Sequence, residues 1–339
     1  MRAIAPAQSS AEGSATTHPL VPIVASWRRS LDARGRSPKT VTIYTSAADA
    51  FGRYLVGQGM PTAPASIRRE HVEAYITSLR GRGLSESTVH QQSRSLALFF
   101  AWLAEEGEVR EDRLPTRNVR VPAPEPPPVA VLSEADIRAL IRPCQSGPSQ
   151  FHNRRDEAII RLFAETGVRL GELAGLTGDA IDLDAGVAVV IGKGRGRGPR
   201  KRLIGFGSKT ANALDRYLRA RATHRLAELP ELWLGRHKDR PLTESGVAQM
   251  LRERGRLAGL MMGPPKPGSP PGTPDRCTLH AHQFRHTFAH MSLAEGMQEG
   301  DVQRLAGWSS RSMLSRYGAS VADQRALAAQ KKTGLGNKW

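Results

Sequence analysis

Residues 119–131 include Pro122, Pro124, Pro126, Pro127 and Pro128, and that run dictates how the rest of the chain can fold. Proline lacks the backbone N–H that a helix interior or a central strand requires, and its ring fixes φ. A stretch so rich in it is extended and stiff, so no regular element crosses it. The 339 residues must therefore fold as two bodies, each long enough for its own core. The expected divisions are a helical domain over 19–112, a linker over 113–130 and a second domain over 131–322. Residues 1–18, rich in Ala, Ser and Thr without an apolar period, read as a disordered leader, and 323–339 as a tail.

Ahead of the linker, apolar residues recur every three or four positions. Val41, Tyr44, Ala48, Phe51 and Leu55 make one stripe, and Val72, Tyr75, Ile76 and Leu79 a second. Val89, Leu96, Phe99, Phe100 and Leu103 make a third. Ser37-Pro-Lys-Thr40 and Ser85-Glu-Ser-Thr88 open two of these helices alike, and Gly57, Gly59, Gly81 and Gly83 punctuate their ends. The pattern predicts a bundle of four or five helices.

Beyond the linker, Ser133 with Asp136 three positions later reads as a capped helix start. Residues 156–165, 169–176, 210–229 and 245–258 are expected to be helical. Residues 187–191 and 202–206 are short β-rich runs around a Gly/Arg loop, hence a hairpin. Residues 263–275, rich in Pro and Gly, are expected to form a flexible surface insertion. The fold class is mainly α with a small β-hairpin.

Lys and Arg number 49 against 32 acidic residues, a formal charge of +17. Such an excess favours a polyanionic partner. Nucleic acid is preferred to a membrane, because no lipid anchor and no apolar run of roughly 18 residues is seen. Cys144 and Cys277 are too few for a disulfide framework, and the N-terminus lacks the apolar core of a secretory signal. A reduced, cytoplasmic setting is expected.

The second domain carries Arg169, Lys193, His282, Arg285, Trp308 and Tyr317 in that order. Five of these are cations or hydrogen-bond donors, and the last is a hydroxyl. Arginine presents a planar fork that matches phosphate oxygens and stays charged at any working pH. Two of them could hold a phosphate and neutralise charge building on its equatorial oxygens. A tyrosine hydroxyl can then form a covalent intermediate. Glu172 can pair with Arg169 and orient its fork. His282, His286 and His290 share a helix face, a spacing that could hold a metal, yet no His-Glu-x-x-His or Cys cluster accompanies it. No metal and no cofactor is expected. The loop Gly192-Lys-Gly-Arg-Gly-Arg-Gly198 departs from a phosphate-binding P-loop, since Gly194 and not Ser or Thr follows the lysine.

Four patches resemble the tyrosine recombinase (phage integrase) family of the simple Xer-like and Cre-like type. They are Thr166-Gly-Val-Arg169-Leu-Gly-Glu172-Leu173, Val190-Ile-Gly-Lys193-Gly194, His282-Gln-Phe-Arg285-His286, and Leu305-Ala-Gly-Trp308 with Tyr317 nine positions on. Trp308 stands where the family usually has His, as in Cre-like members; an indole N–H donates but cannot shuttle a proton. The resemblance implies an N-terminal SAM-like core-binding domain and an α/β catalytic domain closing as a C-shaped clamp on a specific double-stranded DNA site. It implies Tyr317 as nucleophile and Lys193 as general acid, with Lys201 as a competitor. Arg169, Arg285, His282 and Trp308 would hold the phosphate, supported by Glu172 and His286. The reaction it implies proceeds through a 3′-phosphotyrosine in a tetrameric synapse without metal or ATP. In related recombinases the C-terminal segment docks on a neighbouring protomer, so residues 323–339 are read as such a segment. A type IB topoisomerase-like enzyme and a catalytically silent DNA-binding protein are the alternatives.

Overall fold

The computed structural model describes residues 18–124, 130–146, 150–192, 198, 200–235, 240–260, 262–263, 270, 273, 275–308, 326–327, 330–331 and 334. The chain divides into two compact units, Met1–Pro127 and Pro128–Trp339. The leader read over 1–18 lies outside the described residues except for His18. Most of the 263–275 insertion and of the 323–339 tail does too.

In the first unit, four α-helices lie among the described residues: α1 (Val21–Ala33), α2 (Pro38–Gly57), α3 (Arg69–Gly81) and α4 (Glu86–Glu105). The paired openings do the same job twice. Ser37 Oγ accepts the Thr40 N–H and Ser85 Oγ the Thr88 N–H, each at 3.3 Å. Each bond satisfies a donor that the first turn would leave orphaned. The three apolar stripes, joined by Val24, Trp27 and Leu31 of α1, close one core. Trp27 packs on Phe99 with ring centroids 5.0 Å apart, and each such large side chain contributes about 1.5–3 kcal/mol by leaving water.

The second unit starts with α5 (Glu134–Ile141), where Ser133 and Asp136 cap each other reciprocally. Then come α6 (Gln150–Thr166), α7 (Leu170–Ala174), β1 (Ile181–Asp182), β2 (Val187–Gly192), β3 (Arg200–Gly205), α8 (Ser208–Ala222) and α9 (Glu244–Leu257). The described elements end with β4 (Met262–Gly263), β5 (Arg276–Cys277), α10 (Ala281–Ala294) and α11 (Glu299–Ala306). Strands β1, β2 and β3 form an antiparallel sheet in that order, with Val190 opposite Arg202. Side chains alternate across it: Ala188, Val190 and Ile204 are buried, whereas Val189, Ile191 and Leu203 are exposed. Strands β4 and β5 pair across the insertion, an element the sequence reading lacked. No described helix is long and apolar enough to cross a membrane.

Helix α8 stops at Ala222, seven residues short of the expected 229. Arg221 explains the stop: its guanidinium donates to the carbonyls of Ala227, Leu229, Glu231 and Leu232 and folds the following chain back over the helix end. Long-range charge pairing ties α6 to α9. The buried Asp156 carboxylate accepts from Arg155 at 2.8 Å and from Arg254 at 2.6 Å. Asp156→Ala would leave two buried guanidiniums without a counterion. We expect a loss of about 3–5 kcal/mol, measured as a lower urea midpoint; an unchanged midpoint would show that the network adds nothing.

Candidate active site

Helix α6 ends at Thr166, and Gly167 turns the chain at φ 55°. A Cβ there would lie 2.7 Å from a Phe288 ring carbon, so both the backbone angle and the space demand glycine. The turn delivers Arg169 to the N-cap of α7. Its N–H donates to Glu172 Oε2 at 3.0 Å and its Nη1 to Oε1 at 2.9 Å. The two side chains differ sharply in exposure, 43% for Arg169 and 3% for Glu172. One carboxylate thus fixes an arginine that still faces solvent.

A second arginine meets the same carboxylate. Strand alternation puts Arg202 on the inner face of β3, two positions before the buried Ile204, and its Nη1 lies 2.7 Å from Glu172 Oε1. Lys201 is exposed in the alternate register, opposite Ile191. Burial pushes the Glu172 carboxyl up, but hydrogen bonds from Arg202 and from the Arg169 N–H and side chain outweigh it and hold the group below the usual carboxylate range. Glu172 therefore stays ionised through the neutral range.

The third component is the end of α11. Gly307 adopts φ 64°, its N–H reaches the Arg304 carbonyl, and the Trp308 N–H reaches that of Gln303, each at 3.0 Å. This Schellman turn satisfies two carbonyls of the last helical turn and leaves the next three without a helical donor. Each of the three takes an arginine. Arg202 Nε donates to Leu305 O at 3.0 Å, Arg285 Nη2 to Ala306 O at 2.5 Å, and Arg169 Nη2 to Gly307 O at 2.8 Å. Cations at a helix C-terminus also complement its dipole. A side chain at 307 would be strained by the left-handed φ and crowded, since a Cβ there would sit 3.1 Å from Arg202 Cδ and 3.3 Å from Arg169 Nη1.

Arg285, on the first turns of α10, is 3% exposed. Its Nη1 donates to Gly167 O at 2.8 Å, and its Cζ lies 5.0 Å from the centroid of the Trp308 ring, a cation–π stack. Trp308 is itself buried, packed with Phe288, Ala289, Leu293, Val302 and Ala306. His282 is exposed on α10 and His286 buried one turn on, and their rings meet edge to face at 4.6 Å. Among the described residues no group of three or more His, Cys, Asp or Glu side chains could hold a metal.

The structure thus brings Arg169, Glu172, Arg285 and Trp308 together around one turn. It adds Arg202, which sequence reasoning passed over. A usable signal existed: Ile204 and, just past the strand, Phe206 mark the inward register of β3, and period two places Arg202 in it. Lys193 and Tyr317 lie outside the described residues; β2 ends at Gly192, one position before the lysine. Tyr217 is structural, since its hydroxyl donates to Leu232 O and accepts from the Leu234 N–H. Burial pushes its pKa up to about 12.

Residues 130–324 match the family model described as the phage integrase family, and residues 23–107 match that of the phage integrase N-terminal SAM-like domain. Tyrosine recombinase XerC of Lactobacillus delbrueckii subsp. bulgaricus (strain ATCC BAA-365 / Lb-18) is 28% identical over 288 residues, covering 84% of this chain and 89% of that protein. Tyrosine recombinase XerC of Bacillus subtilis (strain 168) is 28% identical over 284 residues, covering 83% and 86%. Among solved structures, the Tn1549 transposon integrase in complex with transposon right end DNA matches with a TM-score of 0.67 at 19% identity, over 92% of this chain and 99% of that one. The XerH site-specific recombinase bound to a palindromic difH substrate also matches at 0.67, with 16% identity over 90% and 83%. With its catalytic unit matched almost end to end, the chain belongs to the phage integrase family, the tyrosine recombinases that cleave and rejoin DNA strands at specific sites.

Proposed function

We propose that the arginine-lined turn holds the scissile phosphate of a specific duplex site, and that Tyr317 attacks it. The tyrosine Oη–P bond forms as the P–O5′ bond breaks; His282 takes the phenolic proton, and Lys193 gives its own proton to the departing 5′-oxygen. A 3′-phosphotyrosine keeps the energy of the broken ester, so the 5′-hydroxyl of a partner strand can reverse the step without ATP. Arg169 and Arg285 neutralise the charge that builds on the equatorial oxygens, with His282 and Trp308 as donors. Glu172 orients Arg169, and His286 packs behind His282. The observation that carries this reading is the turn 305–307, which gathers Arg169 and Arg285 from distant parts of the chain. The outward register of Lys201 supports Lys193 as the acid.

The reading extends to a tetramer of protomers on two DNA sites, working in the cytoplasm without a metal. It also includes a tail over 323–339 that docks on a neighbouring protomer. A groove lined by Ala164, Phe288, Met291 and Met297 and edged by Glu165 and Glu295 has the apolar and acidic character to receive a segment containing Leu327 and Lys331.

The assay is covalent adduct formation on a nicked target-site duplex in excess EDTA. Lys193→Ala should be slowed by about 10²-fold or more, the range of general acid catalysis. A 5′-phosphorothiolate at the scissile bond needs no proton on its leaving sulfur and should restore much of that rate. Rescue of Lys201→Ala but not Lys193→Ala would transfer the role to Lys201.

A further inference from the structure

Glu172 poses an electrostatic problem that the recombinase reading leaves unanswered. Its bonds from the Arg169 backbone N–H and Nη1 hold that residue in place, yet a buried carboxylate beside a phosphate site places a like charge near the substrate, where low dielectric strengthens the repulsion. Paired with Glu172 alone, Arg169 would offer a phosphate no net charge. We propose that Arg202 is a positioning residue for strand cleavage: it offsets the Glu172 carboxylate, so that Arg169 meets the scissile phosphate as an uncompensated cation. This inference rests on the recombinase reading above.

Four observations carry it. Arg202 and Arg169 share one oxygen of Glu172, at 2.7 and 2.9 Å, so the three groups together keep a single positive charge, with Arg169 the more exposed of the two arginines. The Arg202 side chain is only 15% exposed, and its inward place on β3 points it at the carboxylate rather than at solvent. Its Nη2 is buried with no hydrogen-bond partner among the described residues. A group kept only for packing would not be expected to leave a buried donor unmet, whereas one kept for its charge can tolerate that cost. Arg202 Nε also grips Leu305 O, so the charge is held against the same turn that Arg169 and Arg285 contact.

The test is single-turnover adduct formation on nicked duplexes carrying either a phosphodiester or a neutral methylphosphonate at the scissile position. Arg202→Ala should slow cleavage of the phosphodiester by about 10- to 100-fold, with DNA affinity nearly unchanged. On the methylphosphonate, which lacks the charge to be repelled, the slowing should largely vanish. Arg202→Lys should keep most of the rate, and Glu172→Gln in the Arg202→Ala background should recover part of it. Arg202→Met, which keeps volume without charge, makes the same comparison should the alanine variant misfold. Equal slowing on both substrates would reduce Arg202 to a packing residue and overturn the inference, as would wild-type rates in both neutral variants. Wild-type protein that forms no adduct on the phosphodiester would overturn the recombinase reading itself, and the inference with it.

Discussion

Tyr317→Phe should abolish covalent attachment to DNA and leave binding nearly intact. The substitution removes one oxygen and no charge, so only the nucleophile is lost. Other tyrosines offer no substitute. Tyr217 is buried with its pKa pushed up to about 12, and burial likewise raises that of Tyr75. Tyr44 and Tyr54 pack against the core of the helical unit. A denaturing gel that traps protein on nicked DNA, run beside a binding titration, makes the measurement. Adduct formation by the phenylalanine variant would remove Tyr317 from the mechanism.

Arg285→Ala should show the second-largest effect, and on two quantities together. Loss of a preorganised cation from the transition state costs about 10²–10³-fold in rate. The same change strips the donors from Gly167 O and Ala306 O, each worth about 1–3 kcal/mol when left buried and unmet, and removes the cation stacked on Trp308. Thermal unfolding should therefore move down with activity. Arg285→Lys keeps the charge but not the planar fork that spans both carbonyls, so it should recover only part of the rate and of the stability. Arg285→Ala with wild-type cleavage would mean that this arginine serves the fold alone.

These contrasts explain what the sequence could and could not reveal. Capped starts at Ser37, Ser85 and Ser133 were legible because each signal lies within four residues of the structure that it makes. The hairpin was legible because alternation and a glycine loop are local too. The Arg169–Glu172 pair is spaced three apart, close enough to be expected. By contrast, the stop of α8 at Ala222 depends on carbonyls up to eleven residues beyond Arg221, and no propensity records them. The stacking of Arg285 on Trp308 and the sharing of Glu172 with Arg202 join residues from separate elements. Such contacts follow from the assembled core, not from any window of sequence.

The three arginine bonds to the α11 turn span 138, 103 and 21 residues, and Arg285 reaches back 118 more to Gly167. Closing loops over such distances costs chain entropy that contacts between sequence neighbours do not. A partly folded chain, with α6 and the sheet in place but α11 undocked, would hold its arginines apart and present no phosphate cradle. If this turn is the phosphate site proposed above, a molecule with α11 undocked could cling to DNA by charge and would have no means to cut it.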